Sequence, residues 1–248
     1  MKNPNVIVCS DYGSIIVNAN DSGVGRTIIE SGYYATIDIE LIKQLLNFLY
    51  LRKDKLVLYD VGANIGTHVL ALAKTYGEKL SIRAFEAQRF IFYMTCGTVA
   101  INGLQNVHCY NLAVSNENGK YIDLMLPDYS KENNFGSFEL VPPIKSDNQN
   151  MVKNSNETIG TVTLDSFNES VDFIKMDVEG MEDKALEGAE RVIRNSRPIC
   201  FIETLKSDFG FLVNYFHSKN YCGFQKGDDL IAIPLEFAIQ IEGLARTF

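Results

Sequence analysis

The sequence predicts a single α/β domain built on a doubly wound, mostly parallel sheet. Apolar segments of strand length alternate with segments of helical periodicity, and near-continuous apolar strands are typical of sheets covered on both faces. A glycine-rich turn beginning at Gly62 follows the first strong strand. The length of 248 residues is within the range of one domain. We therefore assign 1–248 to one domain, with a cap and helix in 1–50, the core in 51–210, and a final strand and tail in 211–248.

The first 50 residues contain a predicted cap and one predicted helix. Up to about Ser31, β-branched pairs alternate with turn signals, which predicts a short hairpin or an irregular cap. Between Asp38 and Tyr50 the apolar residues recur at helical spacing, which predicts a helix. These apolar residues are Ile39, Ile42, Leu45, Leu46 and Leu49. The helix leads into the first strong strand, Lys55 to Asp60.

After Asp60 the pattern alternates between the two kinds of element. The predicted strands are Ser81 to Glu86, Val107 to Leu112, Val171 to Met176, Pro198 to Glu203 and Leu230 to Ile233. The predicted helices are Thr67 to Tyr76, Phe90 to Asn102, Glu182 to Arg194 and Phe209 to Ser218. Repeats of strand, helix and strand place parallel strands side by side, with the helices over both faces of the sheet.

One polar segment, Gly119 to Thr163, interrupts this alternation. It contains Pro127, Pro142 and Pro143 together with several Asn and Ser residues and short β-like runs. Polar excursions of this length in compact domains are commonly functional. We therefore predict a polar β-hairpin insertion over 119–163 that helps to cover the active site.

The composition disfavours several classes of partner. The formal net charge is −8, and no run rich in Lys and Arg is present to bind a phosphate backbone, so no nucleic-acid partner is expected. No apolar run approaches membrane-spanning length, and the first nine residues lack the pattern of a secretory signal. The five cysteines include no C-x-x-C pair and are expected to be reduced thiols. We expect a cytoplasmic protein without membrane contact.

The turn from Asp60 to Gly66, with the sequence DVGANIG, lies between a predicted strand and a predicted helix. Its glycines permit close approach of the backbone to a ligand at the carboxyl edge of the sheet. The G-x-G-x-x-G spacing of dinucleotide sites is absent, and a carboxylate at Asp60 is unsuited to a pyrophosphate. It suits the ammonium and sulfonium groups of S-adenosylmethionine. The residues assigned to a cofactor site here are Asp60, Gly62, Ala63, Asn64 and Gly66.

Glu86 ends the next predicted strand, about twenty residues beyond the glycine turn. An acidic side chain at this position accepts hydrogen bonds from both hydroxyls of a ribose. Each acid also has a structural alternative, since Asp60 alone would suit a helix cap and Glu86 alone a solvated loop. Together with the turn, the two acids indicate an adenosine-containing ligand, and Glu86 joins the assigned cofactor residues.

Three carboxylates are expected at the ends of two adjacent strands. The apolar strand that begins at Phe173 delivers Asp177 and Glu179 to the carboxyl edge, and Glu203 ends the neighbouring strand. If a bound S-adenosylmethionine gives its methyl group to a hydroxyl, the site must align the reactants and provide a base that removes a proton. We assign Asp177 as the base or acceptor-orienting residue, Glu179 as a second polar contact and Glu203 as the third member of the catalytic cluster.

The same acidic cluster has alternative interpretations. Three converging carboxylates would also suit a divalent metal that holds a diol or sugar, so a metal is compatible with the site but is not predicted. Glu182 would equally stabilise the start of the following helix through the helix dipole. Lys175 is expected to pair with one of the acids.

Several separated blocks, in order along the chain, resemble the FkbM family of S-adenosylmethionine-dependent methyltransferases. The blocks are Asp60 to Gly66, Phe85-Glu86, Asn102, Ala113-Val114-Ser115, Gly136-Ser137, Thr163-Leu164-Asp165, Lys175 to Gly180, Leu186 to Gly188, Arg197-Pro198 and Glu203. The resemblance covers about Leu56 to Glu203. Two departures are modest: Ala87 stands where the family usually has proline, and Met181-Glu182 stands where it usually has Ala-Glu.

The resemblance implies a class I, Rossmann-like methyltransferase sheet whose last strand is antiparallel to the others. It also implies a cofactor bound over the first two strands, with Ala113 beside it, and methylation of oxygen on sugars or other secondary metabolites. The expected function is therefore transfer of a methyl group from S-adenosylmethionine to a hydroxyl of a small polar acceptor. Three alternatives stay open: an RNA ribose methyltransferase, a non-catalytic S-adenosylmethionine-binding protein and, third, an NAD-dependent enzyme.

Overall fold

The computed structural model describes residues 3–124, 126–139 and 157–248. The strands are β1 Asn5–Ser10, β2 Gly13–Asn18, β3 Leu56–Val61, β4 Leu80–Phe85, β5 Val107–Tyr110, β6 Ala113–Val114, β7 Tyr121–Leu124, β8 Glu157–Val162, β9 Phe173–Met176, β10 Ile199–Glu203, β11 Tyr221–Lys226 and β12 Asp229–Pro234. The α-helices are α1 Val24–Ser31, α2 Thr36–Tyr50, α3 Thr67–Tyr76, α4 Arg89–Ile101, α5 Glu182–Glu187, α6 Glu190–Ser196 and α7 Phe209–Ser218.

The central sheet has seven strands in the order β11-β12-β10-β9-β3-β4-β5. The five strands β10, β9, β3, β4 and β5 are parallel to one another. Strand β12 is antiparallel to β10 and to β11. This arrangement confirms the predicted doubly wound α/β class and the antiparallel last strand that the family resemblance implies.

Strand β3 is buried along nearly its whole length because helices cover both of its faces. Leu56 and Leu58 lie in an apolar core beneath α2 and α3, whereas Tyr59 and Val61 lie in a second core beneath α5, α6 and α7. Burial of each such aliphatic side chain stabilises the fold by roughly 1.5–3 kcal/mol. Since the parallel strands end at one edge, the segments that follow β3, β4, β9 and β10 meet there. No helix in the described ranges is long and apolar enough to cross a membrane.

Two helical features differ from the sequence prediction. The predicted N-terminal hairpin is present as β1 and β2, but Val24–Ser31 forms an additional helix that ends at Gly32, where φ is 82°. The single helix predicted from Glu182 to Arg194 is divided into α5 and α6. At the division, a Cβ atom on Gly188 would lie 2.0 Å from the carbonyl oxygen of Ser115. This close approach requires glycine, which is a poor helix former, and the helix is interrupted there.

Within the predicted insertion, β7 and β8 pair as antiparallel strands and β8 also pairs with β6 in parallel. The segment 126–139 turns back toward the N-terminal region, and the Asn133 amide donates to the carbonyl oxygen of Asn20 at 3.0 Å. Residues 125 and 140–156 of the insertion lie outside the described residues. Segment 126–139 also approaches the end of β4, since the Gln88 side chain donates to a carbonyl oxygen of this segment at 2.9 Å.

Candidate active site

The glycine turn after β3 packs directly against the end of β9. Gly62 has a φ of 82°, and a Cβ atom there would lie 1.7 Å from the carbonyl oxygen of Asp177. The amides of Gly62 and Ala63 donate to the carbonyl oxygen of Phe85 at 3.0 and 2.9 Å. The turn is therefore held against both neighbouring strands, and only glycine fits at position 62.

The carboxylate of Glu86 is oriented by two backbone amides. Its Oε2 accepts from the Asn64 amide at 2.9 Å, and its Oε1 accepts from the Gln88 amide at 2.8 Å. The side chain lies in a cavity wall, and burial raises its pKa to about 7. Because a carboxylate oxygen can accept two hydrogen bonds, each oxygen of Glu86 retains accepting capacity for a ligand.

Three cavities follow one another along the carboxyl edge of the sheet. The inner pocket lies between the glycine turn, the end of β4 and the segment after β5; its lining includes Gly62, Asn64, Glu86, Ala113, Gly136, Phe138, Asp177 and Glu179. The lining of the central chamber includes Tyr34, Ala63, Asn64, Thr67, His68, Lys175, Asp177, Glu179 and Glu203. The lining of the outer cleft includes Tyr34, Asp38, Lys175, Asp177, Glu203, Lys226, Asp228 and Asp229.

Asp177 lines all three cavities. It follows β9 directly, and its amide donates to the carbonyl oxygen of Val61 at 2.9 Å. Its Oδ2 lies 3.7 Å from the Nζ of Lys175, while the side chain is 38% exposed to the cavities and solvent. A carboxylate at this position faces whatever occupies the inner pocket on one side and the outer cleft on the other.

Asp60 lies behind the glycine turn and is not in the lining of these three cavities. It is paired in register with Lys175 on β9, and its Oδ1 lies 3.4 Å from the Nζ. The Nζ also donates to the carbonyl oxygen of Gly62 at 2.9 Å. Burial favours the neutral lysine, but the charges of Asp60 and Asp177 hold the pKa of Lys175 above its ordinary value. The predicted pairing of Lys175 with the acids is confirmed, and Asp60 neutralises this buried cation.

Glu179 has a strained backbone and a cationic partner. Its φ is 55°, and Gly180 follows with a φ of 96°. The Nζ of Lys206 lies 2.6 Å from the Oε2 of Glu179. Burial and then the charge of Asp177 raise the pKa of Glu179 to about 7. Strain of this kind in a non-glycine residue costs of order 1–3 kcal/mol and is concentrated at functional sites.

Glu182 stabilises the loop that carries these acids. It is only 1% exposed, and its Oε1 accepts from the Val178 amide at 2.9 Å. Its Oε2 accepts from the Gly180 amide at 3.0 Å and from the Ser207 hydroxyl at 2.8 Å. Glu182 lies in the first turn of α5. Because its oxygens accept from these donors, it also positions the loop.

Glu203 ends β10 and lies opposite Asp229 of β12 in the sheet register. Its Oε2 is buried and has no hydrogen-bond partner among the residues that the structure describes. Burial, followed by the charges of Asp177 and Glu179, raises the pKa of Glu203 to about 8. The structure thus brings Asp177, Glu179 and Glu203 together around the central chamber.

Within residues 3–124, 126–139 and 157–248, no group of three or more His, Cys, Asp and Glu side chains is arranged to hold a metal ion. Sequence reasoning missed several residues of the site, among them Lys206, Thr67, Phe138 and Asp229. Lys206 anchors Glu179, Thr67 lines the chamber, and Phe138 lines the inner pocket. Thr67 directly follows the glycine turn, a signal that could have identified it, whereas Phe138 comes from the insertion without a motif of its own.

The chain is similar to a known protein family in sequence and to solved proteins in structure. The family model described as "Methyltransferase FkbM domain" matches residues 60–225. No curated protein matches the sequence significantly. Among solved structures, the methyltransferase FkbM from Methylobacillus flagellatus KT is similar in fold, with a TM-score of 0.52 and 19% sequence identity. The match covers 73% of this chain, which spans 44% of the length of that protein.

Two further solved methyltransferases are more distant in structure. A precorrin-6y C5,15-methyltransferase from Geobacter metallireducens GS-15 has a TM-score of 0.44 and 14% identity, covering 78% of this chain and 85% of that one. An rRNA methylase from Streptococcus thermophilus has a TM-score of 0.43 and 12% identity. The match covers 77% of this chain and 93% of that protein. The family model matches well over half of the chain. This protein therefore belongs to the FkbM family of S-adenosylmethionine-dependent methyltransferases.

Proposed function

We propose that this protein transfers a methyl group from S-adenosylmethionine to a hydroxyl oxygen of a small polar acceptor, such as a sugar or a secondary metabolite. The observation that carries this proposal is the position of Asp177, which lines the inner pocket, the central chamber and the outer cleft. A carboxylate at this junction would meet both a cofactor in the inner pocket and an acceptor that enters from the cleft.

The inner pocket has the chemistry that an adenosine group needs. Glu86 presents an oriented carboxylate for the ribose hydroxyls, and Ala113 and Phe138 supply apolar surface for the base. The backbone lies close at Gly136, where a Cβ atom would be 2.8 Å from the Nδ2 of Asn64. These features support the assignment of Glu86, Asn64 and Ala113 to the cofactor, together with the turn residues Gly62, Ala63 and Gly66. Asp60 contacts Lys175 and not the pocket, which supports an indirect role in which Asp60 positions Lys175.

Bound in the inner pocket, S-adenosylmethionine would supply an electrophilic methyl group for the acceptor oxygen, with its thioether as the leaving group. The residues of this chain align the acceptor and remove its proton. We assign Asp177 as the base that accepts the hydroxyl proton, with Lys175 at 3.7 Å holding its carboxylate in place. Glu179, held by Lys206, is a second polar contact, and Glu203 binds the acceptor from the end of β10.

Residues from each predicted segment of the chain line these cavities. Tyr34 comes from 1–50, Gly136 from the insertion and Asp229 from 211–248. Because one row of cavities needs residues from all of these segments, we propose that 1–248 acts as a single domain.

Binding of the cofactor is tested by calorimetric titration with S-adenosylhomocysteine, with NAD in parallel. Saturable one-to-one binding of S-adenosylhomocysteine alone is expected, and preference for NAD would refute the proposal. Methyl transfer is then measured with labelled S-adenosylmethionine and a panel of sugars, with an RNA transcript as a separate arm. Transfer to the ribose of RNA alone would replace the proposed acceptor class, and binding without transfer to any acceptor would favour the non-catalytic alternative.

Replacement of Asp177 by Asn tests its assignment as the base. Asp177→Asn should lower turnover by about a hundredfold or more, since general-base catalysis contributes roughly 10²–10⁴ to the rate. The affinity for S-adenosylhomocysteine should remain essentially unchanged, because the loss is confined to the transfer step. Asp183→Asn, on the exposed side of α5, makes the same chemical change as a control. Full activity in Asp177→Asn would remove this residue from the mechanism.

A further inference from the structure

The outer cleft has more carboxylates than cations. Its lining includes five acidic side chains and two lysines; the acids are Asp38, Asp177, Glu203, Asp228 and Asp229, and the lysines are Lys175 and Lys226. His68 adds no positive charge, because burial and then the charge of Lys175 lower its pKa to about 3. Burial also raises the pKa of Tyr34, which keeps this phenol neutral.

Both lysines of the cleft already have carboxylate partners. Lys175 lies between Asp60 and Asp177, and Lys226 is paired with Asp38. In the described part of the chain, no ion pair engages Glu203, Asp228 or Asp229. The described acids of the cleft that have no ion-pair partner are therefore concentrated where β10 and β12 meet.

Glu203 and Asp229 lie directly opposite each other on these antiparallel strands. Like charges at directly opposite positions destabilise a sheet. Burial is the first cause that raises the pKa of Glu203 to about 8 and of Asp229 to about 7. Neighbouring acids raise both further, whereas the charges of Lys226 and Lys175 partly offset the rise at Asp229. Two such carboxylates repel each other when both are ionised, and a cation between or above them would offset this repulsion.

One buried polar atom outside the acidic pair gives independent evidence of a ligand. Thr67 lines the central chamber and is only 4% exposed, yet its hydroxyl has no hydrogen-bond partner among the described residues. The Oε2 of Glu203, in the wall of the same chamber, is likewise buried without a partner there. Buried polar groups are nearly always hydrogen-bonded, so both atoms have hydrogen-bonding capacity for a molecule in the chamber.

We propose that the acceptor is a hydroxyl compound with a protonated amine, such as an amino sugar, and that Glu203 and Asp229 bind its ammonium group. An ammonium group has three donors and no acceptor, which matches the carboxylates of the cleft. A hydroxyl of the same molecule would satisfy Thr67. This inference rests on the proposed methyl transfer and specifies the class of acceptor for it.

The cofactor has its own ammonium group, but the cavity linings separate the cofactor residues from Asp229. The inner pocket and the outer cleft share only Asp177 among their lining residues. Asp229 lines the cleft and neither the inner pocket nor the central chamber. Removal of its charge should therefore affect the acceptor and leave the cofactor bound as before.

The test uses the whole protein saturated with S-adenosylhomocysteine and calorimetric titration with matched sugars. The pairs are glucosamine and N-acetylglucosamine, galactosamine and N-acetylgalactosamine, and mannosamine and N-acetylmannosamine. In each pair the ring is the same and only the acetylated form lacks the charge. At least one amine should bind about tenfold or more tightly than its N-acetyl partner, as expected for hydrogen bonds to charged groups.

Asp229→Asn should abolish most of this preference, whereas Asp123→Asn on the exposed face of β7 changes the net charge equally and should retain it. Equal or tighter binding of the N-acetyl sugars, no saturable binding by any amine, or an unchanged preference in Asp229→Asn would overturn the proposal. The titration with S-adenosylhomocysteine separates this failure from failure of the proposed function. If S-adenosylhomocysteine binds and the amines do not, only the class of acceptor is wrong.

Discussion

At the scale of single residues, the carboxylates of this site differ in what surrounds them. Glu86 is held by two backbone amides, Asp177 lies 3.7 Å from a lysine, and the buried oxygen of Glu203 has no described partner. Similar side chains therefore differ in their acid–base and hydrogen-bonding properties, because charge partners and burial determine which form each adopts. The sequence identifies these acids by their positions at strand ends, but it does not reveal their partners.

Replacement of Glu86 tests its assignment to the ribose. Glu86→Ala should weaken binding of S-adenosylhomocysteine by about 1.5–3 kcal/mol, the contribution typical of hydrogen bonds to a charged group. The measurement is isothermal calorimetry of the variant, with the exposed Glu78→Ala as a control that should bind as the unmodified protein does. Equal affinity in Glu86→Ala and Glu78→Ala would contradict the assignment.

The raised pKa of Glu203 predicts a pH dependence of stability in the ligand-free protein. In the folded state this pKa is about 8, compared with an ordinary value of 4.5. Between these values the folded protein binds more protons than the unfolded chain, so the contribution of Glu203 to the free energy of unfolding falls as the pH rises. Above the folded pKa this contribution is at its least favourable.

Glu203→Gln should therefore reduce the loss of stability between about pH 5 and about pH 9. The measurement is urea unfolding of the ligand-free protein and the variant at both pH values. Glu179 and Asp229, with pKa values of about 7, should maintain part of the pH dependence in the variant. Identical losses in the two proteins would show that Glu203 does not titrate as described.

At the scale of elements, the turn after β3 connects the inner pocket to the end of β9. Gly62→Ala should destabilise the protein by about 3 kcal/mol or more, because the new Cβ atom would overlap the carbonyl oxygen of Asp177. Gly103→Ala is a matched control: its φ is also positive, at 63°, but nothing lies within 4 Å of the added atom. This control should cost about 1–2 kcal/mol.

Urea unfolding of the two glycine variants measures this difference directly. If both variants lose the same stability, the close approach of the turn to β9 is not a constraint on the fold. The same comparison also bears on binding, since Gly62 lines the inner pocket and Gly103 is not among its lining residues. Only Gly62→Ala should weaken binding of S-adenosylhomocysteine.

Most strands of the central sheet and most helices could be predicted from the sequence because hydrophobic periodicity records which faces are buried. The strand β11 and the order of the strands in the sheet could not be predicted in this way. The division between α5 and α6 could not, since it depends on the approach of Gly188 to Ser115, which is distant in sequence. The role of Glu182 was only half predictable. Its position at the start of a helix was visible, but the contacts with Val178, Gly180 and Ser207 arise from the folded loop.

At the scale of the whole molecule, ligand binding should raise the temperature of unfolding. A ligand that binds only the folded state, present at a hundred times its dissociation constant, stabilises by about 2.7 kcal/mol. For a chain of 248 residues this corresponds to an increase of roughly 5–10 °C. The measurement is a thermal unfolding scan with S-adenosylhomocysteine and, separately, with NAD. An equal increase with NAD would contradict the selectivity expected of the inner pocket.

By itself, the sequence determined the fold class, the glycine turn and the family, since these depend on local periodicity and on motifs that neighbouring residues form together. It also placed Asp177, Glu179 and Glu203 at one edge of the sheet, because parallel strands end on the same side. Only the tertiary structure decided that Asp60 neutralises Lys175 behind the turn and that Glu203 faces Asp229. Strand register brings these residues together, and register depends on long-range hydrogen bonding and packing that no local pattern contains.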